Sequence, residues 1–172
     1  MFLRLAVVVA LFSLPLAATL APALALLCAA AGLFAWREWR RVERGAADNL
    51  AIPAANPLQL STALLFAALF VVISLATVWV ESQFGRTGIF TLAALVGASD
   101  IDPFVLNLAQ GGAPGMSLPA LAAAVLIAAS ANNLAKAGYA IGFGGLVRTR
   151  PPAAILVILA LLGFAAAAVY LV

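Results

Sequence analysis

The stretch "GASDIDPFVLN", Gly97 to Asn107, decides how this chain folds. It sets two carboxylates, Asp100 and Asp102, between the apolar runs "GIFTLAALV" and "FVLNLA". Pro103 has no N–H and disfavours helical geometry at the residue before it, so a helix starting near Thr87 should end by about Gly97. Asp102 then suits the N-cap and Pro103 the first position of a second helix through "PFVLNLAQ". The pattern is helix, gap, helix. Such a break frees carbonyls on one side and N–H groups on the other, which a membrane tolerates only where protein or water satisfies them. Transporters build ion sites in this way.

Working outward, the 172 residues are 66% hydrophobic and only 9% charged, with a mean hydropathy of +1.18. Soluble domains carry about 25% charged residues. The composition predicts an all-α, polytopic membrane protein forming one helical domain over residues 1–172, with the lipid bilayer as its first partner. The pI is near 9.8, but the nine basic residues form no dense patch interleaved with aromatics, which argues against nucleic acid. One cysteine, Cys28, excludes an intramolecular disulfide, and the lack of histidine removes Ser-His-Asp, Cys-His and zinc chemistry. Nothing marks a nucleophile or a substrate pocket, so neither an enzyme nor a cofactor is expected.

From Leu5 to Trp36 no residue is charged, and this run is too long for one crossing of a core about 30 Å thick. Pro15 and Pro22 predict a hairpin over residues 1–36, two short helices joined near Thr19 to Pro22. Two rivals are a secretory signal, for which Arg4 and "APALA" fit loosely, and a lipoprotein anchor, which Leu27 before Cys28 disfavours. Residues 37–57 read as a polar loop with Arg37, Arg40, Arg41 and Arg44 beside Glu38, Glu43 and Asp48, ended by Pro53 and Pro57. The arginines predict that it is cytoplasmic, and Trp36 and Trp39 suit the interface. Residues 58–172 form the helical core with the acidic motif. Spans are predicted at Gln59–Val80, Leu118–Ile141 and Ala153–Val172, the last entered through "RTRPP". The total is about five full spans plus a broken or re-entrant pair around Ser99–Pro103. A re-entrant Thr87–Gln110 keeps Arg148 and Arg150 on the side of Arg37 to Arg44, and charge bias therefore favours it over a crossing. Glu81 and Arg86 read as solvated residues at the membrane edge, and "GGAPG" and "GFGG" as flexible turns.

In the gap, Ser99, Asp100 and Asp102 offer oxygen ligands that favour a hard cation or a proton; which metal, if any, is left open. Each ionised aspartate at mid-bilayer costs roughly 2.5–3.5 kcal/mol, so the pair needs a partner or a proton. Lys136, the one lysine, lies in "SANNLAKAG" on the helical face of Asn132 and next to Asn133. It is predicted to face Asp100 or Asp102 as counter-ion, with Asn132 as a polar ligand and Asn133 and Asn107 orienting the site. Plainer alternatives are Asp102 as a simple cap in a shallow loop, Lys136 snorkelling to the surface, and the asparagines as interhelical glue.

"NPLQLSTALLFAALF", "GIFTLAALVGASDIDPFVLNLAQ" and "ANNLAKAGYA", in this order, resemble the C-terminal membrane domain of unknown function of bacterial MgtC/SapB-type proteins. The resemblance puts Asp100, Asp102, Asn132 and Lys136 at signature positions, while Val105, Asn107 and Asn133 stand where similar sequences carry hydroxyl residues. It implies a multi-pass protein of the bacterial inner membrane with a role in ion homeostasis. Similar chains carry a further membrane half upstream, which implies a homo-oligomer or a separately encoded membrane partner. Two expectations follow: ion transport or homeostasis at a cation or proton site, or a structural subunit whose polar motif packs helices.

Overall fold

The computed structural model describes residues 1–42, 60–144 and 146–171; most of the predicted polar loop, residues 43–57, lies outside them. Six helices follow in order: α1 (Phe2–Phe12), α2 (Leu14–Val42), α3 (Leu60–Gly97), α4 (Asp102–Ala109), α5 (Leu118–Gly144) and α6 (Leu146–Val169). No strand occurs among the described residues. Four helices, α2, α3, α5 and α6, are long and apolar enough to cross a membrane. The all-helical membrane architecture is therefore as expected, with four candidate spans in place of five.

The missing span is the first. The chain breaks at Ser13, not between Thr19 and Pro22, and Pro22 sits inside α2. Pro22 offers no N–H to the carbonyl of Ala18, four residues before it; at the adjoining Thr19, Tyr170 Oη donates to the carbonyl at 2.6 Å and ties this turn of α2 to the end of α6. α1 is left with 11 residues, about 16 Å of helix, half a bilayer. At the other end α6 begins at Leu146, with Pro151 and Pro152 inside it rather than at its start.

α5 is the axis of the bundle. Ala120 to Leu126, Ala128, Ala129, Ser130, Asn132 and Asn133 are all buried. Small side chains let backbones approach where lipid supplies no hydrophobic drive between helices. Opposite Ser130, Gly163 of α6 leaves no room for a side chain, and α5 and α6 pack extensively as an antiparallel pair. α2 runs antiparallel to α6: Pro22 and Ala23 lie against Ala166 and Val169, and Phe34 and Glu38 against Pro152 and Ile155. One end of the bundle therefore carries Arg37, Arg40 and Arg150, and the other carries Thr19 and Leu118.

α3 is bent sharply at Gly85, whose φ of 54° and ψ of −141° lie outside any helix. Residues 60–84 form one arm and 86–97 the other. A side chain on Gly88 would collide with Val80, and eight residues apart in a straight helix would be about 12 Å, so the chain folds back on itself here. The first arm is bathed on most sides, with Leu64, Val72, Leu75 and Trp79 exposed, as a lipid-facing helix requires. Glu81 Oε1 accepts from Gly115 N at 2.8 Å, joining the foot of the first arm to the loop after α4. Residues 86–109 thus leave and return at one end of the bundle. Glu81, read from sequence as solvated, is the latch of that hairpin; Arg86 lies 5.9 Å from the Phe90 ring.

Gly85 has open space around it, so its cost on substitution is backbone alone. Gly85→Ala should destabilise the protein by about 1–3 kcal/mol, because this region of φ and ψ is essentially closed to side chains. Gly32→Ala, within α2 and with nothing nearby, should instead stabilise by about 0.5–1 kcal/mol. Denaturation titrations in bicelles measure both.

Candidate functional site

The hairpin meets α5 at its tip. Gly97 closes the second arm of α3, and a side chain there would strike Ala131 and the carbonyl of Ala128, so glycine is what allows the two backbones to touch. Asn132 Nδ2 donates to Gly97 O at 2.9 Å and to Ser99 O at 3.2 Å. Tyr139 Oη donates to Ala98 O at 2.9 Å. The carbonyls of Gly97, Ala98 and Ser99 at the helix end are thus all taken by α5 side chains, which a helix break within a membrane requires. Asn132 lies 14 residues into α5, roughly 21 Å from its start, so the tip sits deep within the bundle's length.

Beyond the tip the chain turns into α4. Asp100 Oδ1 accepts from Asp102 N at 3.1 Å, and this local bond shapes the entry. Ile101 occupies the N-cap, and Asp102 and Pro103 are the first two helical residues. The N-cap is thus Ile101, one residue before the expected Asp102 and without a side-chain cap bond; the Asp100 carboxylate, one residue further back, takes the Asp102 N–H, and the Asp102 carboxylate points elsewhere. It points to α1, where Arg4 Nη2 lies 2.9 Å from Asp102 Oδ1. The arginine is 59% exposed and the aspartate 21%.

This is a correction to the pairing expected from sequence. Lys136 makes no ion pair with either aspartate; its Nζ lies 3.6 Å from Met1 Sδ and it is exposed. It is felt by Asp102 through space and not by contact. The cause is the short α1, which brings Arg4 to the tip ahead of the lysine. Arg4 and Tyr139 are the residues missed by sequence reasoning. The signal for Arg4 was its isolation, as the one charge before Arg37.

Of the other expected residues, Ser99 is exposed and its Oγ donates back to Val96 O at 3.1 Å, an ordinary helix-end bond. Asn107 and Asn133 are buried with their amide nitrogens unpartnered; Asn107 packs under the turn at Gly112. The structure thus brings together Ser99, Asp100, Asp102 and Asn132, with Lys136 at the rim. No group of three or more His, Cys, Asp or Glu side chains occurs among the described residues. Within one copy the arrangement sets two carboxylates beside the Arg4 guanidinium.

A family model described as a domain of unknown function, DUF4010, matches residues 1–144, and the chain belongs to that family. An uncharacterized protein of Aquifex aeolicus (strain VF5) is 39% identical over 90 residues, which is 52% of this chain and 39% of that protein. The match thus spans well under half the length of that relative. No solved structure matches the chain.

Asn132→Leu keeps the volume but removes both donors from the tip and should cost about 1–3 kcal/mol, the penalty for unpaired buried carbonyls. Tyr139→Phe removes one bond at an exposed residue and should cost less. A bicelle unfolding titration that ranked Tyr139 above Asn132 would contradict this account of the tip.

Proposed function

We propose that this protein binds and moves a proton or a small cation across the membrane, using Asp100 and Asp102 at the tip of the re-entrant hairpin. The observation that carries this is the division of labour at the tip. The backbone groups are closed by Asn132 and Tyr139, while Asp100 remains exposed and Asp102 is held by one arginine. The carbonyls at the end of α3 are closed without either carboxylate, Asp102 is held only by an arginine, and an intramembrane ionisable group is by default a pathway group.

The chemistry is an exchange of partners. With the site empty, Arg4 neutralises Asp102 and Lys136 adds a second positive field. An arriving cation or proton at the carboxylates takes over the compensation, and the exposed guanidinium swings away. Two carboxylates per copy suit a proton or a monovalent ion; a divalent ion needs more oxygen ligands than these side chains supply. The arginine-bearing end of the bundle, cytoplasmic by the positive-inside rule, lies on the side of Lys136 and Tyr139, so entry from the cytoplasm is the shorter route. The resemblance to MgtC/SapB-type proteins of the inner membrane is in keeping with ion homeostasis.

A second reading, a structural subunit of a larger complex, is favoured by one observation: Asn132 spends its amide on backbone carbonyls. Flux separates the two. In proteoliposomes, Asp100→Asn and Asp102→Asn should each reduce proton or monovalent-cation flux to the level of empty vesicles, and Arg4→Gln should keep flux with a tighter apparent affinity. Unchanged flux in both aspartate variants, or none in the wild type, gives the subunit reading precedence.

A further inference from the structure

The tip carries more charge than one copy pairs. At the tip the ion pair within one copy is Arg4 with Asp102. Asp100 is exposed and its one polar contact is the neighbouring backbone N–H. Lys136 is exposed and touches a thioether, a weak acceptor. Tyr139, Ser99 and Arg4 are exposed around them. This face lies deep along the length of the bundle, with Leu95 and Leu134 exposed beside it. Lipid cannot cover it, because each charge facing hydrocarbon costs several times RT.

The charges on this face are balanced: Arg4 and Lys136 against Asp100 and Asp102. A two-fold axis presents a patch to itself, so that residue i of one copy meets residue j of the other and the reverse. A patch with an unspent anion and an unspent cation side by side is self-complementary under that operation, whereas a patch of one sign would call for a different partner. We infer that a second copy of this chain covers the hairpin tip, Lys136 of each copy pairing with Asp100 of its partner, so that the ion site is complete only in the dimer. The inference rests on Asp100 and Asp102 being a membrane-embedded ion site, and it names who closes that site. It also resolves the position of Lys136: the residue expected from sequence to answer an aspartate answers one in trans.

The test is charge reversal in the intact protein, reconstituted in liposomes and counted by single-molecule photobleaching. Wild type should be dimeric. Asp100→Lys and Lys136→Asp, each alone, should lose the dimer, because both symmetry-related contacts become repulsive. Co-expressed with different tags, the two variants should form a mixed dimer, since both contacts are then attractive; this restoration excludes misfolding as the cause of the single losses. A monomeric wild type, a dimer indifferent to either reversal, or failure of the mixed pair would overturn the proposal. Flux is scored separately on the same vesicles. A monomer whose flux depends on Asp100 sinks the dimer and spares the transport reading; a charge-dependent dimer without flux does the opposite.

Discussion

The structure depends on the contact between Asn132 and the broken end of α3. A helix that stops deep in a membrane frees backbone carbonyls which water cannot reach, and an uncompensated break would cost several kcal/mol. One amide on α5 takes two of them, Gly97 O and Ser99 O, and Tyr139 takes the carbonyl between. Gly97 makes the approach possible by carrying no side chain against Ala128 and Ala131. Everything else about the hairpin follows from fixing its tip on α5: the turn at Gly85, the latch from Glu81 to Gly115, and the direction of α4 toward Arg4.

Much of this was legible in the sequence because the break is written in residue types with one backbone meaning each. Pro103 forbids a continuous helix, Asp100 and Asp102 supply side chains that bond locally, and the apolar flanks demand membrane. The charge bias of Arg148 and Arg150 favours a re-entrant element, and in the structure the loop after α4 returns to the foot of the first arm of α3, where Gly115 N donates to Glu81. Asn132 stands out by its place on the helix, and its amide nitrogen donates to two backbone carbonyls of the broken helix end.

Less legible were features that depend on who stands nearby. Pro22 looks like a breaker, yet it sits inside α2, in a turn that Tyr170, almost 150 residues later, ties down by donating to Thr19 O. The true break, at Ser13, follows a run with no turn residue except that serine. Lys136 and Arg4 are equivalent as charges on paper, and only the short α1 decides which of them reaches Asp102. The kink at Gly85 sits in "ESQFGR", which reads equally well as the polar end of a span. The N-cap of α4 lies at Ile101, one residue before Asp102, with the Asp100 carboxylate holding the N–H of Asp102 from the residue before that cap.

The claim on which the account turns is that residues 86–109 enter and leave the bilayer on one side, opposite the arginines. In a Cys28→Ala background, single cysteines at Gln83, Pro114, Arg37 and Arg150 can be labelled from either face of oriented vesicles with a membrane-impermeant maleimide. The account predicts that positions 83 and 114 label from one face and positions 37 and 150 from the other. Positions 83 and 114 labelling from opposite faces would mean that the acidic segment crosses the membrane, and would contradict it.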